Sequence, residues 1–289
     1  MAEAAGLSYF AEIPAVIWNV QRLGPSTGLP TRTSQGDLLS AHTLSHGDTK
    51  HVVLMPGTMQ ECYDFGIACF DLSEELQTLV VVLSDLDLGM NTYISDEIIK
   101  NKKAYNRGQI EQVPTENFNR YKTTDTGVSP RSLPGNSSVH ASYFTRGTSH
   151  DEEAKYSESA EDYEKVIEKL QKKWAYAAKI IPKPIINNTD SDMGLIYYGS
   201  SLIAVNELQK TLGCSTARVR ALPLTQELKE FIKSHKNIYV VEQNSTAQMH
   251  QLVSLEWPEL AHKLTPLTFS NGLPLSAKAI KHKLEARIV

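Results

Sequence analysis

The chain is poor in cysteine. Cys62, Cys69 and Cys214 are the only three in 289 residues. None forms a Cys-x-x-Cys pair and the count is odd, which argues against a disulfide framework and provides no cluster site, since an iron–sulfur centre takes about four thiolates. The usage fits a reducing, cytoplasmic setting. Cys62 and Cys69 share one helical face, where core packing is preferred over metal binding. Long apolar runs are missing too. No stretch reaches the roughly 18 residues of a membrane-spanning helix, so no membrane partner is expected. The opening MAEAAGLSYFAEIPAVIW lacks a basic n-region and does not read as a secretory signal. It reads as the middle of a folded domain, an alanine-rich helix running into a buried strand. Dense basic blocks are also lacking: 29 Lys and Arg face 33 Asp and Glu, a formal net charge of -4. The longest cationic stretch, Lys100 to Lys103, is broken by Asn101 and reads as a solvated loop. No nucleic-acid partner is expected, because phosphate binding needs a basic face. Gly-x-Ser-x-Gly, His-Glu-x-x-His, Walker and Gly-x-Gly-x-x-Gly patterns are all absent. His46, beside Gly47 and Asp48, is the most loop-like of nine scattered histidines and ranks low.

What is present is a globular composition, 41% hydrophobic and 21% charged, at a length that suggests two domains. Ile13 to Val20 is a short apolar run that predicts a central strand. The loop QRLGPSTGLPT follows, and its Gly and Pro density rules out helix or strand. Ser34 to His46 is a candidate helix and Val52 to Met55 a second strand. Thr58 and Glu61 form a capping-box pattern that opens a helix to about Leu76, and Leu79 to Leu83 is a third strand. From about Asp96 to Asp151 the pattern dissolves into a polar, irregular crossover. Glu161 to Lys179 is an amphipathic helix with Tyr163, Ile167, Leu170 and Trp174 on one stripe. Strands are then predicted at 193–198, 216–222 and 237–242, with helices at 201–212, 225–234 and 246–256. Such alternation predicts a second doubly wound sheet.

Four segments carry possible chemistry, each at a strand end. In QRLGPSTGLPT, Arg22 offers a fixed cation and Ser26, Thr27 and Thr31 offer hydroxyls; a carboxylate site and a rigid surface turn are both open. SDLDLGMN, 84–91, places Asp85 and Asp87 two apart, which suits a capped turn better than a Mg²⁺ loop. YGSS, 198–201, is a strand-to-helix turn in which Ser200 as N-cap is preferred over an anion site. EQN, 242–244, is open between a ligand or subunit contact and a satisfied turn.

Together these segments resemble the alpha subunits of 2-oxoacid:ferredoxin oxidoreductases, the 2-oxoglutarate branch in particular. The resemblance is carried by AEIPAVIWNVQRLGPSTGLPTRTSQGDLL (11–39), MQECYDFGIACFDLSEEL (59–76), LSDLDLGMN (83–91), YFTRGTSH (143–150) and VVEQNSTAQMHQL (240–252), in the family's order. It implies an α/β fold: part of a thiamine-diphosphate pyrimidine-type parallel-sheet domain over 1–95, an irregular crossover and amphipathic helix over 96–190, and a transketolase carboxy-terminal-like α/β domain over 191–289.

The implied activity is oxidative decarboxylation of a 2-oxoacid, 2-oxoglutarate foremost, with coenzyme A, and with electron transfer to ferredoxin. Thiamine diphosphate would be shared with a beta subunit, which would carry the Mg²⁺ and the iron–sulfur cluster. By position, Arg22 would grip the substrate carboxylate, Thr27 and Thr31 would bind substrate, and Ser26 and Gly28 would line the cofactor. No residue here is expected to be catalytic or to hold a metal. The family's upstream YPITP-like motif, the glutamate that activates the aminopyrimidine and the gamma domain are not in this sequence. Leu23 stands where a glycine is common and Ala247 where a Gly-Gln pair is usual. The expected alternative is therefore a non-catalytic docking or structural fragment of such a subunit.

Overall fold

The computed structural model describes residues 1–101 and 103–288. Helix α1 (Ala2–Phe10) leads into strand β1 (Ala15–Gln21), helix α2 (Leu38–His42), strand β2 (Val52–Leu54), helix α3 (Met59–Leu76), strand β3 (Leu79–Asp85) and helix α4 (Leu86–Met90). After a long irregular stretch come helix α5 (Ala160–Ile180), strands β4 (Ile185–Asn187) and β5 (Met193–Tyr198), helix α6 (Leu202–Leu212) and strands β6 (Ser215–Val219) and β7 (Ala221–Leu222). Helix α7 (Gln226–Ser234), strand β8 (Asn237–Glu242), helix α8 (Gln248–Glu256), strand β9 (Leu264–Thr268) and helix α9 (Ala277–Ile288) complete the chain.

The strands build a four-stranded sheet, β1-β3-β2-β7, and a five-stranded sheet, β4-β6-β5-β8-β9. β1, β3 and β2 run parallel, as do β6, β5, β8 and β9, while β7 and β4 are antiparallel edges. Parallel strands covered on both faces read as continuous apolar runs, and all seven residues of β3 are buried.

Four expectations change. β1 lies at a sheet edge rather than at the centre; its ladder partner among the described residues is β3, from Ala15↔Leu79 to Gln21↔Asp85. Ile17 packs on the core, whereas Trp18 and Val20 stay 40% and 43% exposed. An apolar run reports a strand's affinity for burial and not which strands flank it. The helix expected over 34–46 shortens to α2, because Ser34 and Gln35 bond Gln243 and Tyr198 of the second sheet instead. The strand expected over 216–222 divides at Arg220: β6 stays in the second sheet, and β7 pairs with β2 through Val53↔Leu222 and Leu54↔Ala221. The Thr58 hydroxyl caps α3, accepting from Glu61 N at 3.0 Å, but the Glu61 carboxylate accepts from Gly57 N at 2.8 Å and pairs with Arg218, so the reciprocal half of the capping box does not form.

Helix α5 also departs from its expected stripe. Its buried face comprises Val166, Lys169, Leu170, Lys173 and Ala177, and Tyr163 is exposed. Two lysines go inside because a carboxylate meets them: both Nζ atoms pair with Glu12, whose side chain is fully enclosed. Arg120, from the irregular stretch, donates to Glu12 O at 2.8 Å. Buried charges are tolerated only when so compensated. Three cations around one carboxylate outweigh the burial that would raise it, and Glu12 is held down at about 2. Burial in turn draws Lys173 down to about 8. The cluster ties α5 and the crossover to the turn just before β1.

Candidate functional site

Ligands of open parallel sheets bind outside the carboxyl ends of the strands. The first sheet presents there the loop 22–32, which is stitched to itself. Leu23 N donates to Arg32 O at 2.9 Å, Leu29 N to Leu23 O at 2.9 Å and Arg32 N to Leu29 O at 3.1 Å. Gly28 has φ +47°, and a Cβ there would fall 2.0 Å from Leu23 O, so the turn admits only glycine. Gly28 thus has a demonstrable part in closing the loop.

Arg22, Ser26, Thr27, Gly28 and Thr31 all lie on this loop, and all five are exposed. One guanidinium and three hydroxyls, with no carboxylate among them, suit an anionic or hydrogen-bond-accepting group and not a metal ion. Among the described residues no group of His, Cys, Asp and Glu is arranged to hold a metal. The donor set fits an anionic group such as a carboxylate.

The base of the loop is rigid. Gln21 is 2% exposed; its Nε2 donates to Ser84 O at 3.3 Å and its Oε1 accepts from Asp37 N at 3.1 Å. Asn19 Nδ2 donates to Asp37 Oδ2 at 3.0 Å, and Thr33 Oγ1 accepts from Asp87 N at 3.3 Å. Leu23 packs toward the turn after β9: a Cβ on Gly272 would lie 2.7 Å from Arg32 Cβ and 3.2 Å from Leu23 Cδ2.

The other three candidate segments do not form separate sites. Asp85 Oδ1 accepts from Leu88 N at 3.1 Å and so caps α4, and burial raises its carboxyl above the ordinary range. Asp87 bonds Asn91. Ser200 is not the helix cap expected of it: α6 starts through a single 3-10 turn, Gly199–Ser201, with Ser201 at the cap position and no side-chain cap bond. The hydroxyls of Ser200 and Ser201 instead accept from Gln243 Nε2 at 3.0 and 3.3 Å. Glu242 is enclosed, accepting from Asn244 Nδ2 at 2.7 Å and Met249 N at 2.8 Å, and its carboxyl is raised by burial.

Gln35, four residues beyond Thr31, joins these segments. It is 0% exposed. Its amide N donates to Gln243 O at 2.8 Å and its Nε2 to Tyr198 O at 2.9 Å. Its Oε1 accepts from Gln243 N at 3.0 Å and Ser201 Oγ at 3.4 Å. Its carbonyl accepts from Tyr198 OH at 3.2 Å and Asn244 Nδ2 at 3.1 Å. Sequence reasoning passed over Gln35, which fell in the helix expected over 34–46, and its partners lie more than 160 residues away.

A parallel sheet whose carboxyl edge carries a stitched, glycine-closed loop, beside a second mostly parallel sheet, defines an α/β chain of two sheet units. Residues 1–172 match the family described as "Pyruvate flavodoxin/ferredoxin oxidoreductase, thiamine diP-bdg", and the chain belongs to that family. It is similar to "2-oxoacid:ferredoxin oxidoreductase 2, subunit alpha" of Aeropyrum pernix, 31% identical over 88% of this chain and 41% of the relative. It is also similar to "2-oxoglutarate synthase subunit KorA" of Methanothermobacter marburgensis, 31% identical over 84% of this chain and 66% of the relative. The solved 2-oxoglutarate:ferredoxin oxidoreductase from Magnetococcus marinus, with 2-oxoglutarate, coenzyme A and succinyl-CoA bound, superposes with a TM-score of 0.87 at 25% identity, over 100% of this chain and 51% of that one. The chain thus spans from about four-tenths to two-thirds of the length of these relatives.

Proposed function

We propose that this chain is a subunit of a 2-oxoacid:ferredoxin oxidoreductase, with 2-oxoglutarate the leading substrate, and that Arg22 holds the 2-oxoacid carboxylate. The observation that supports this most is the placement of Arg22, Thr27 and Thr31, all exposed, on one stitched loop at the carboxyl end of β1. A guanidinium grips a carboxylate through two parallel hydrogen bonds, which fixes orientation as well as adding energy. Fixing the carboxylate presents the adjacent keto carbon in one pose, and the carboxylate then departs as carbon dioxide.

Thiamine diphosphate, when bound, supplies the electron sink for that decarboxylation. Ser26 and the backbone at Gly28 are the residues of this chain assigned to line it. The diphosphate and the Mg²⁺ are assigned to a beta subunit by the family resemblance, and the iron–sulfur cluster with them, since the three cysteines here are separate and buried or half-buried. Coenzyme A and ferredoxin are the remaining partners, and the setting is cytoplasmic; no helix among the described residues is long and apolar enough to cross a membrane.

Co-expression with the beta subunit, followed by size exclusion and a coenzyme-A-dependent dye-reduction assay, tests the reading. A complex that turns over 2-oxoglutarate supports it. A complex without turnover would place the chain as a docking subunit instead.

A further inference from the structure

The second sheet has the order β6-β5-β8, so the chain reverses its winding at β5. In a doubly wound sheet the crevice outside the carboxyl ends of the two strands at that reversal is the ordinary ligand site. Here those ends are Tyr198 of β5 and Glu242 of β8. The crevice is filled from within the molecule: Gln35 occupies it, bonding Tyr198 O, Tyr198 OH and both backbone groups of Gln243. Ser34 Oγ adds a bond to Gln243 O at 3.2 Å. The strand-end turn is shaped to the fit, for Gly199 has φ +54° and a Cβ there would come within 3.0 Å of Gln35 Nε2.

We infer that Gln35 is a positioning residue, and that the second unit has given its ligand crevice over to anchoring the loop that carries Arg22. The loop is short and closes on itself through the Leu23–Arg32 bond, a closure held in place by the bonds at its two ends. One end is fixed by Gln21 in the first sheet. The other reaches the second sheet through Ser34 and Gln35. Losing the Gln35 side chain removes its bonds to Tyr198 O, Gln243 N and Ser201 Oγ and so slackens that end of the loop, which loosens the setting of Arg22. The inference rests on the substrate reading of that loop, but its primary test needs no turnover.

Hydrogen–deuterium exchange on the full chain, in its complex with the beta subunit, compares the native protein with Gln35→Ala and with the milder Tyr198→Phe, which removes the hydroxyl that donates to the Gln35 carbonyl at 3.2 Å and accepts from Asn244 Nδ2 at 3.4 Å. The amides of Leu23, Leu29 and Arg32 are expected to exchange at least about tenfold faster in Gln35→Ala, with a smaller rise in Tyr198→Phe, while β3 amides stay unchanged. In the same complexes KM for the 2-oxoacid is expected to rise about tenfold, with KM for coenzyme A unmoved. Unchanged exchange at the three loop amides in both variants, or a rise spread equally over β3, would overturn the positioning role. Faster loop exchange with unmoved KM would uphold the anchor and instead remove the loop from substrate binding, and a kinetically silent Arg22→Ala would confirm that separation.

Discussion

Glu61 of α3 and Arg218 of β6 form a buried two-pronged ion pair across the two sheets, with Nη1–Oε2 at 2.5 Å and Nη2–Oε1 at 2.7 Å. Burial raises the Glu61 carboxyl, but Arg218, the Gly57 amide and Arg220 outweigh it and hold the group below its ordinary range. A Cβ on Gly57 would fall 2.4 Å from Arg218 Nη1, so the backbone itself makes room for the guanidinium. Breaking such a pair strands a buried charge. Glu61→Gln is expected to cost about 3–5 kcal/mol in urea denaturation, and Glu61→Met with Arg218→Met together to cost less than the sum of the single changes.

Glu12 gives the fold an acid limit. Its folded value of about 2 lies below the ordinary 4.5, so its stabilisation is present above about 4.5 and is lost as pH falls from there toward 2. The shift corresponds to on the order of 3 kcal/mol at neutral pH. His42 and His51 act earlier: burial lowers both and keeps them neutral, whereas the unfolded chain takes up protons below about 6.5. Urea midpoints at pH 7, 5 and 3 are expected to show a shallow decline followed by a steep one. Glu12→Gln is expected to be less stable at pH 7 and to lose the steep part.

The two glycines of the candidate loop differ sharply. Gly28→Ala places a Cβ on Leu23 O at a positive φ, whereas a Cβ on Gly24 meets nothing nearer than 3.8 Å. Gly28→Ala is expected to cost roughly 1–3 kcal/mol, confined to the loop, and to lower kcat/KM for the 2-oxoacid at least about tenfold. Gly24→Ala serves as the control, with stability within about 0.5 kcal/mol of native.

The thiols are expected to be inert in the native state. Burial raises Cys62 and Cys69 to about 11, and it raises Cys214 as well. Thiolate, the reactive form, is therefore scarce at pH 8. A thiol reagent should label slowly until denaturant is added and then titrate all three cysteines.

Much of the architecture was legible because it depends on local pattern. The apolar run before Gln21, the Thr58 cap and the Leu79–Leu83 run each placed an element within a few residues. What depends on distant partners was not legible. The two lysines buried on α5 look like a solvated face until Glu12 is brought to them. Gln35 is silent in sequence because its partners reside on β5 and in the turn after β8. Tyr198–Ser201 and Glu242–Asn244 were found as strand-end segments, but pattern alone offered capping, a ligand or a satisfied turn, and not a side chain from the other sheet. β9 and α9 went unpredicted, since Leu-Thr-Pro-Leu-Thr carries a proline and little apolar periodicity.

The most direct test of the central claim is steady-state kinetics of Arg22→Ala against native chain, each assembled with the beta subunit, with 2-oxoglutarate as the varied substrate. Because Arg22 is exposed and lies outside the core, assembly and thermal stability should be unaffected. Loss of a charged hydrogen-bonded grip predicts a fall in kcat/KM of on the order of 2–4 kcal/mol, about 30-fold or more, with Arg22→Lys recovering part of it. An Arg22→Ala complex with native kcat/KM would contradict the account, since the loop's only arginine ahead of the stitch would then hold no substrate.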